Sequence, residues 1–471
     1  MQKGSNIGIL GLGPMGHNLA LNYASKGFSV SIYNRLEKGK EDIINNFIRN
    51  NSQKGTFLGF KDLTSFVASL EVPRKILIMV KAGKAVESVI ERLIPLMEKE
   101  DIIIDGGNSH YLDTTRRMHA VRKYGIRYIG CGISGGSAGA LNGPSMMPGG
   151  TRDGWLDVKD LFQSIAAKDN AGVPCCDWIG PEGSGHFVKM VHNGIEYALM
   201  QIIAEAYDIM NRALKMPVNE IISLFQDWNE EIIGGYLMEI TAIVLSLKEN
   251  DGKPLIDNVL DYAEQKGTGR DIAISGLEYD VIVSTITEAV NARSLSTFSQ
   301  RKIEISQNKN NRISDSIIDK KQIIPLLFDS IHCAQLVSII QGLNLLEKVS
   351  KIQSWDINIK KILKIWGKGC IIQSTILKDI STRLKKDTLN DIFIQDISGR
   401  LKLENFSQAI SFGLQHHIPL HVWSAALVYC QAIISPVLPA NLIQLQREYF
   451  GSHGFEKVNQ PGVICHLLES K

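Results

Sequence analysis

The stretch FVKMVHNGIEY, residues 187–197, sets a lysine, a histidine, an amide, a carboxylate and a phenol into an apolar run that continues as ALMQIIAEAYDIM. Read as a helix advancing about 100° per residue, Lys189, His192, Asn193, Glu196 and Tyr197 fall within an arc of roughly 140°. A helix ordinarily uses that arc for its most apolar face. Lys189 and Glu196 stand two turns apart, about 10 Å along the axis, close enough to bracket a small substrate. A buried lysine resists charging and can serve as a base near neutral pH. A glutamate among apolar groups keeps its proton and can serve as an acid. Taken alone, the pattern equally fits polar residues satisfied inside a helix bundle, or an exposed face of i,i+4 charges.

A second motif supplies a place for a cofactor. GILGLGPMG puts G-x-G-x-x-G at Gly11, Gly13 and Gly16, after a strand and before the helical HNLALNYASKG. Such glycines allow a tight turn, close approach of a pyrophosphate and contact of helix with strand, and the helix N-terminus offers free N–H groups. Leu12, Pro14 and Met15 complete the turn. At the end of the next strand an NAD site usually carries Asp or Glu for the ribose 2′-hydroxyl. This chain has Asn34 and Arg35 there: an uncharged side chain spares a 2′-phosphate from repulsion, and a guanidinium can pair with it. The expected cofactor is NADP.

Five β-branched runs, 6–10, 29–33, 75–80, 101–105 and 127–134, alternate with helical segments, so the first third reads as βαβ with a mostly parallel sheet. Each ends at a notable residue: Gly11, Asn34, Lys81, Asn108 and Ser134. Ligands of open parallel sheets bind beyond the carboxyl ends of the strands, so these five ends should line one cleft. From about residue 183 helical periodicity takes over to about 436. The Lys-, Asn- and Ile-rich segment 299–324 reads as a polar surface connection. From 435 the chain looks like a tail with prolines and little core. The expected fold is an α/β, Rossmann-like dinucleotide-binding domain (1–182), a large all-α domain (183–436) for substrate and dimer contacts, and a short C-terminal tail (437–471).

The chain's 471 residues suffice for two or three domains. Lys plus Arg number 51 against 49 Asp plus Glu, and a net charge of +2 gives no sign of a nucleic-acid or membrane surface. No run of about 18 uninterrupted apolar residues is found, and the N-terminus lacks a signal-peptide core. Seven scattered cysteines without a C-x-x-C read as reduced thiols of a cytoplasmic protein.

VKAG (80–83), DGGNSH (105–110), SGG (134–136), GPSMMPGG (143–150), GHFVKMVHNGIEY (185–197), QKGTG (265–269), GCII (369–372) and PANLIQLQREYFGSH (439–453) stand in order along the chain. Together they closely resemble the 6-phosphogluconate dehydrogenase family, the decarboxylating enzymes of the pentose phosphate pathway. The resemblance runs from Gly11 to His453. It implies a metal-free oxidative decarboxylation of 6-phosphogluconate to ribulose 5-phosphate, with Lys189 as base and then acid, and Glu196 protonating C1 of the enediol.

By the same resemblance, Asn34, Arg35, Val80, Lys81, Ala82 and Asn108 match nucleotide contacts, with Asn108 shared by the substrate. Leu36 stands among them where the family usually has Ser or Thr, so one hydrogen bond to the 2′-phosphate is missing. Ser134, Gly135 and Gly136 match a loop that holds the sugar acid, with His192, Asn193 and Tyr197 beside it. Lys266, Thr268 and Arg293, joined by Tyr197, match the phosphate contacts. Arg447 and His453 match residues donated from the tail of a neighbouring subunit, which implies a homodimer with a shared active site. Ser137-Ala138, Asp271, Lys368, Gln373 and Gly454 also depart from the pattern, and none removes a catalytic group. A shorter hydroxyisobutyrate-type dehydrogenase would lack KGTG and REYFGSH, and a non-catalytic NADP-binding protein would have no use for the retained set.

Overall fold

Ile7–Leu10 is wholly buried and forms an inner strand (β1) of a seven-stranded sheet. It pairs in parallel with Val30–Tyr33 (β2) on one side and Lys75–Ile78 (β4) on the other. Phe57–Phe60 (β3) lies outside β2, and Ile102–Asp105 (β5), Arg127–Ser134 (β6) and Ser145–Gly150 (β7) follow beyond β4. The order is therefore β3-β2-β1-β4-β5-β6-β7, parallel except for β7. Chain order reverses between β1 and β4, the crevice where such sheets take ligands. This computed structural model describes residues 4–35, 42–265, 267–298 and 319–467.

The five anticipated strands are present in this sheet, and two more of its strands were not anticipated. β3 (FLGF) is half exposed at an edge, so it lacks the apolar run of its neighbours. β7 (SMMPGG) carries a proline and two glycines, which a strand pattern ordinarily lacks. Its Pro148 pairs with Cys131 on the far edge of the sheet, where a missing N–H costs no ladder bond.

Apolar side chains fill both faces of the sheet. Leu19, Tyr23, Trp155 and Phe162 pack on one, and Phe66, Ile90, Met118 and Val121 on the other. Ser184–Asp208 then forms a 25-residue helix, here termed the central helix. One side of it lies on β6 and β7, and others meet the Thr268–Glu278, Ser284–Ser296 and Lys320–Ile352 helices. By length and composition alone the Lys320–Ile352 helix could cross a membrane, although polar residues such as Asp329, His332 and Gln335 interrupt its apolar run. Most of its apolar window is buried in the fold, and Ser330, Ser338 and Gln341 are buried with it.

Met1–Ala426 and Leu427–Lys471 form two compact units, so sheet and helices share the first. The second contains more structure than a bare tail: a helix, Ala440–Gly451, and a hairpin of Phe455–Lys457 (β8) with Gln460–Cys465 (β9). Glu448, buried, ties this unit together by accepting bonds from the backbone N–H groups of Gly454 (2.6 Å) and Leu467 (2.9 Å). Its surface leaves Leu442, Ile443, Tyr449 and Phe450 exposed. Leu36, Lys266 and most of the polar segment read at 299–324 lie outside the described residues.

Candidate active site

The glycine-rich turn leaves β1 at Gly11, whose φ of +107° and contact with the Met79 carbonyl exclude a side chain. Gly13 caps the Pro14–Ser25 helix, with Pro14 in its first turn. A Cβ on Gly13 would meet nothing of the protein, so space above the helix N-terminus stays open, as a pyrophosphate requires. At the end of β2, Asn34 Oδ1 accepts the Leu12 N–H (2.9 Å), so the second strand end holds the first loop in shape. Gly11, Leu12 and Gly16 are buried, whereas Arg35, Lys81, Ala82 and Asn108 are exposed, with Met15, Asn34 and Val80 between. The turn, the open N-terminus and the uncharged Asn34 fit a dinucleotide.

Asn108 stands on a loop pinned from below. Asp105, the last residue of β5, accepts the Gly107 N–H (3.1 Å) and the Ser109 hydroxyl (2.7 Å). It also receives the Tyr128 hydroxyl (3.0 Å) and the Arg117 guanidinium (3.2 Å). Sequence reading missed Asp105 and Arg117 as site-forming residues, because nothing in their spacing signals that they meet.

The central helix brings the other set together. Alternate residues of β6 face it: Gly130 meets His186, Gly132 meets the stem of Lys189, and Ser134 meets His192. Without side chains at 130 and 132, helix and strand approach closely and Lys189 is held against the sheet. Its Nζ lies 3.4 Å from Nδ1 of His192, and Glu196 Oε2 lies 3.6 Å from the same nitrogen. Nδ1 is also 3.0 Å from Asn193 Oδ1, while the Asn193 amide donates to Thr268 Oγ1 (3.3 Å). On the other side of the ring, Nε2 lies 2.9 Å from both Ser134 Oγ and Cys370 Sγ. Gly135 and Gly136 follow Ser134 with φ of +114° and +62°. Cys370 belongs to the quoted GCII motif, yet its contact with His192, 178 residues away, is visible only in the fold.

Burial sets the protonation of this group. It lowers the Lys189 ammonium below its ordinary value, against the opposing pull of Glu196 and Cys370. It raises the Glu196 carboxyl against Lys189 and Arg293. It pushes His192 well below the usual imidazole value, with Lys189 adding to the effect, so the ring is neutral. Burial also pushes the Cys370 thiol up to about 12, so it keeps its proton. An amine inclined to be neutral and a carboxyl inclined to be protonated therefore share one helix face, as a base and an acid would.

Arg293 lies over the Tyr197 ring, 3.5 Å from its centroid, so these two anticipated phosphate contacts adjoin. Ser137, one of the departures, accepts the Asn18 amide at its carbonyl (2.7 Å) and hydroxyl (2.9 Å), joining the loop after Ser134 to the helix of the glycine-rich turn. A cavity of about 450 Å³ opens beside Gly135, Lys368, Cys370 and Gln373. Arg447 and His453 belong to the second unit, where Arg447 donates to Gln444 Oε1 (3.0 Å) and His453 packs edge-on against Phe450.

Two family models match this chain. Residues 6–180 match the NAD binding domain of 6-phosphogluconate dehydrogenase, and 185–468 match the 6-phosphogluconate dehydrogenase C-terminal domain. The decarboxylating 6-phosphogluconate dehydrogenase of Schizosaccharomyces pombe is 43% identical over 455 residues, covering 96% of this chain and 92% of that protein. The human one is 41% identical over 468 residues, covering 98% and 96%. A solved Plasmodium falciparum 6-phosphogluconate dehydrogenase, described in apo form and in complexes with its cofactor NADP+ and its substrate 6-phosphogluconate, superposes with a TM-score of 0.91. It is 36% identical and covers 98% of this chain and 100% of that one.

Proposed function

The chain belongs to the 6-phosphogluconate dehydrogenase family, and on that premise we propose that it oxidatively decarboxylates 6-phosphogluconate to ribulose 5-phosphate and CO2. NADP, when bound, supplies the hydride acceptor for C3 of the sugar acid. Gly11, Leu12, Gly13, Pro14, Met15 and Gly16 would cradle its pyrophosphate, and Asn34, Arg35 and Leu36 would meet its ribose end. Val80, Lys81, Ala82 and Asn108 would line the rest of the cleft.

Neutral Lys189 takes the proton from the C3 hydroxyl as the ketone forms. The resulting β-keto acid loses CO2 because its carbonyl holds the electron pair left behind, and protonated Lys189 returns its proton to that oxygen. Glu196 then protonates C1 of the enediol. Ser134, Gly135, Gly136, His192 and Asn193 hold the carboxylate and hydroxyl groups, and Tyr197, Lys266, Thr268 and Arg293 hold the phosphate. The observation that carries this reading is the opposed perturbation of Lys189 and Glu196 on one buried face.

In the arrangement proposed, residues 1–182 bind nucleotide, 183–436 bind substrate and build the dimer, and 437–471 reach a second copy. The exposed apolar side chains of the Ala440–Gly451 helix support such a partner. Arg447 and His453 would then complete the partner's site. The proposed compartment is the cytoplasm, where buried thiols such as Cys131, Cys175, Cys176 and Cys370 stay reduced. Purified protein should convert 6-phosphogluconate with NADP, read as NADPH formation and CO2 release, and more slowly with NAD. Failure to release CO2 from 6-phosphogluconate would refute the assignment.

A further inference from the structure

We infer that Arg117 is a positioning residue that sets the two cofactor loops of the β4 and β5 strand ends at a fixed spacing. Its side chain is 1% exposed and lies beneath both loops. Toward β5, its Nη1 donates to Asp105 Oδ2 (3.2 Å) and to the Ser109 hydroxyl (2.9 Å), the residues that flank Asn108. Toward β4, its Nη2 donates to the Gly83 carbonyl (3.3 Å), directly after Val80, Lys81 and Ala82. Its Nε donates to Glu87 Oε1 (2.9 Å) in the first turn of the Lys84–Leu93 helix.

One planar fork thus touches both loops, a reach that only a guanidinium combines with permanent charge. Burial alone would lower its pKa, but Tyr128, Asp105 and Glu87 outweigh this and keep it charged. Arg117 also sits on the Tyr111–Arg122 helix, whose Thr114 bonds His186 Nδ1 (2.6 Å) and whose Thr115 accepts the Gly183 N–H (3.1 Å). Those contacts fix the start of the central helix. The helix that aligns the cofactor loops therefore also anchors the one that carries Lys189.

The inference rests on the NADP site proposed above, and its test separates the two. NADPH binding is measured by fluorescence titration on wild type, Arg117→Lys and Arg117→Met, well below each protein's melting temperature. Wild type that binds no NADPH refutes the cofactor site itself. With wild type binding, Arg117→Met should weaken NADPH affinity and raise the NADP KM on the order of tenfold, the scale of one or two lost oriented hydrogen bonds. Arg117→Lys keeps a charge beside Asp105 but cannot fork to Gly83. It should recover melting temperature relative to Arg117→Met while NADPH affinity stays low. Unchanged NADPH affinity in both folded variants, or full recovery of affinity by lysine, would overturn the inference and leave Arg117 a stabilising ion pair.

Discussion

Lys189 and Glu196 converge on one atom: the amine lies 3.4 Å and the carboxylate 3.6 Å from Nδ1 of His192. The imidazole contacts both, while burial moves both toward their uncharged forms. The ring's other nitrogen faces the Ser134 hydroxyl and the Cys370 thiol, whereas Nδ1 faces the Asn193 Oδ1, which can only accept, so the ring proton belongs on Nδ1. Lys189 then meets an N–H rather than a lone pair, which favours the neutral amine.

With the roles proposed for them, the pH dependence of kcat should follow these two groups. Lys189 must be neutral to accept the C3 hydroxyl proton, so activity rises with pH through its lowered pKa. Glu196 must be protonated to deliver a proton to C1, so activity falls as pH climbs through its raised pKa. Lys189→Ala should cost on the order of 10² to 10⁴ in kcat, the range for a general base, with NADPH binding retained. Glu196→Gln should abolish isotope exchange at C1 more completely than hydride transfer, and should remove the alkaline limb. Wild-type kcat in Lys189→Ala, or an intact alkaline limb in Glu196→Gln, would contradict the assigned roles.

Cys370 should matter through its proton and not through nucleophilicity. Replacement by alanine removes one donor from Nε2 of His192, and a fall in kcat of about tenfold matches the loss of one buried hydrogen bond. Serine restores a donor and should recover most of it. Steady-state kinetics of both variants across pH is the measurement. Alanine and serine behaving alike would show that the thiol only fills space.

Glu205, on the same helix, should make stability fall with rising pH. It accepts the N–H groups of Val422 (2.9 Å) and Trp423 (3.0 Å) in the first turn of the His421–Ile434 helix, yet burial raises its carboxyl to about 7. The folded state thus holds a proton that an unfolded chain releases near 4.5. Its stabilising contribution is present below the unfolded value and is lost as pH rises through about 7. Wild type should lose on the order of 2–3 kcal/mol relative to Glu205→Gln between pH 5 and 8. Denaturant unfolding at the two pH values checks this, and equal slopes for the two proteins would contradict it.

A shared active site has a distinctive signature. Lys189→Ala and Arg447→Ala homodimers should each be nearly inactive. Mixed and reassembled, half the hybrid's sites would regain both an intact lysine and an intact partner arginine. Recovery toward a quarter of wild-type activity is expected, about half the molecules being hybrids with one good site. No recovery after confirmed exchange of subunits would place Arg447 outside the partner's site.

The sequence carried the local parts of this arrangement. The glycine-rich turn, the buried strands and the polar helix face are each set by neighbours within a few residues, so periodicity and spacing reveal them. β3 and β7 escaped because edge strands need neither alternation nor freedom from proline. The pairing of Cys370 with His192 and of Arg117 with Gly83 escaped because tertiary packing makes it. The same holds for Ser137, whose bonds to Asn18 exist only once the β6 end folds back on the first helix. The tail read as coreless because Glu448, which organises it, works through backbone N–H groups that no motif records.

Where Gly132 touches Lys189, the bare main chain of the strand abuts the lysine stem, with no strand side chain between them to swing aside. Such a seam cannot open like a jaw. On the roles proposed for these residues, the base rides with the sheet that carries the cofactor loops rather than with the helices around it.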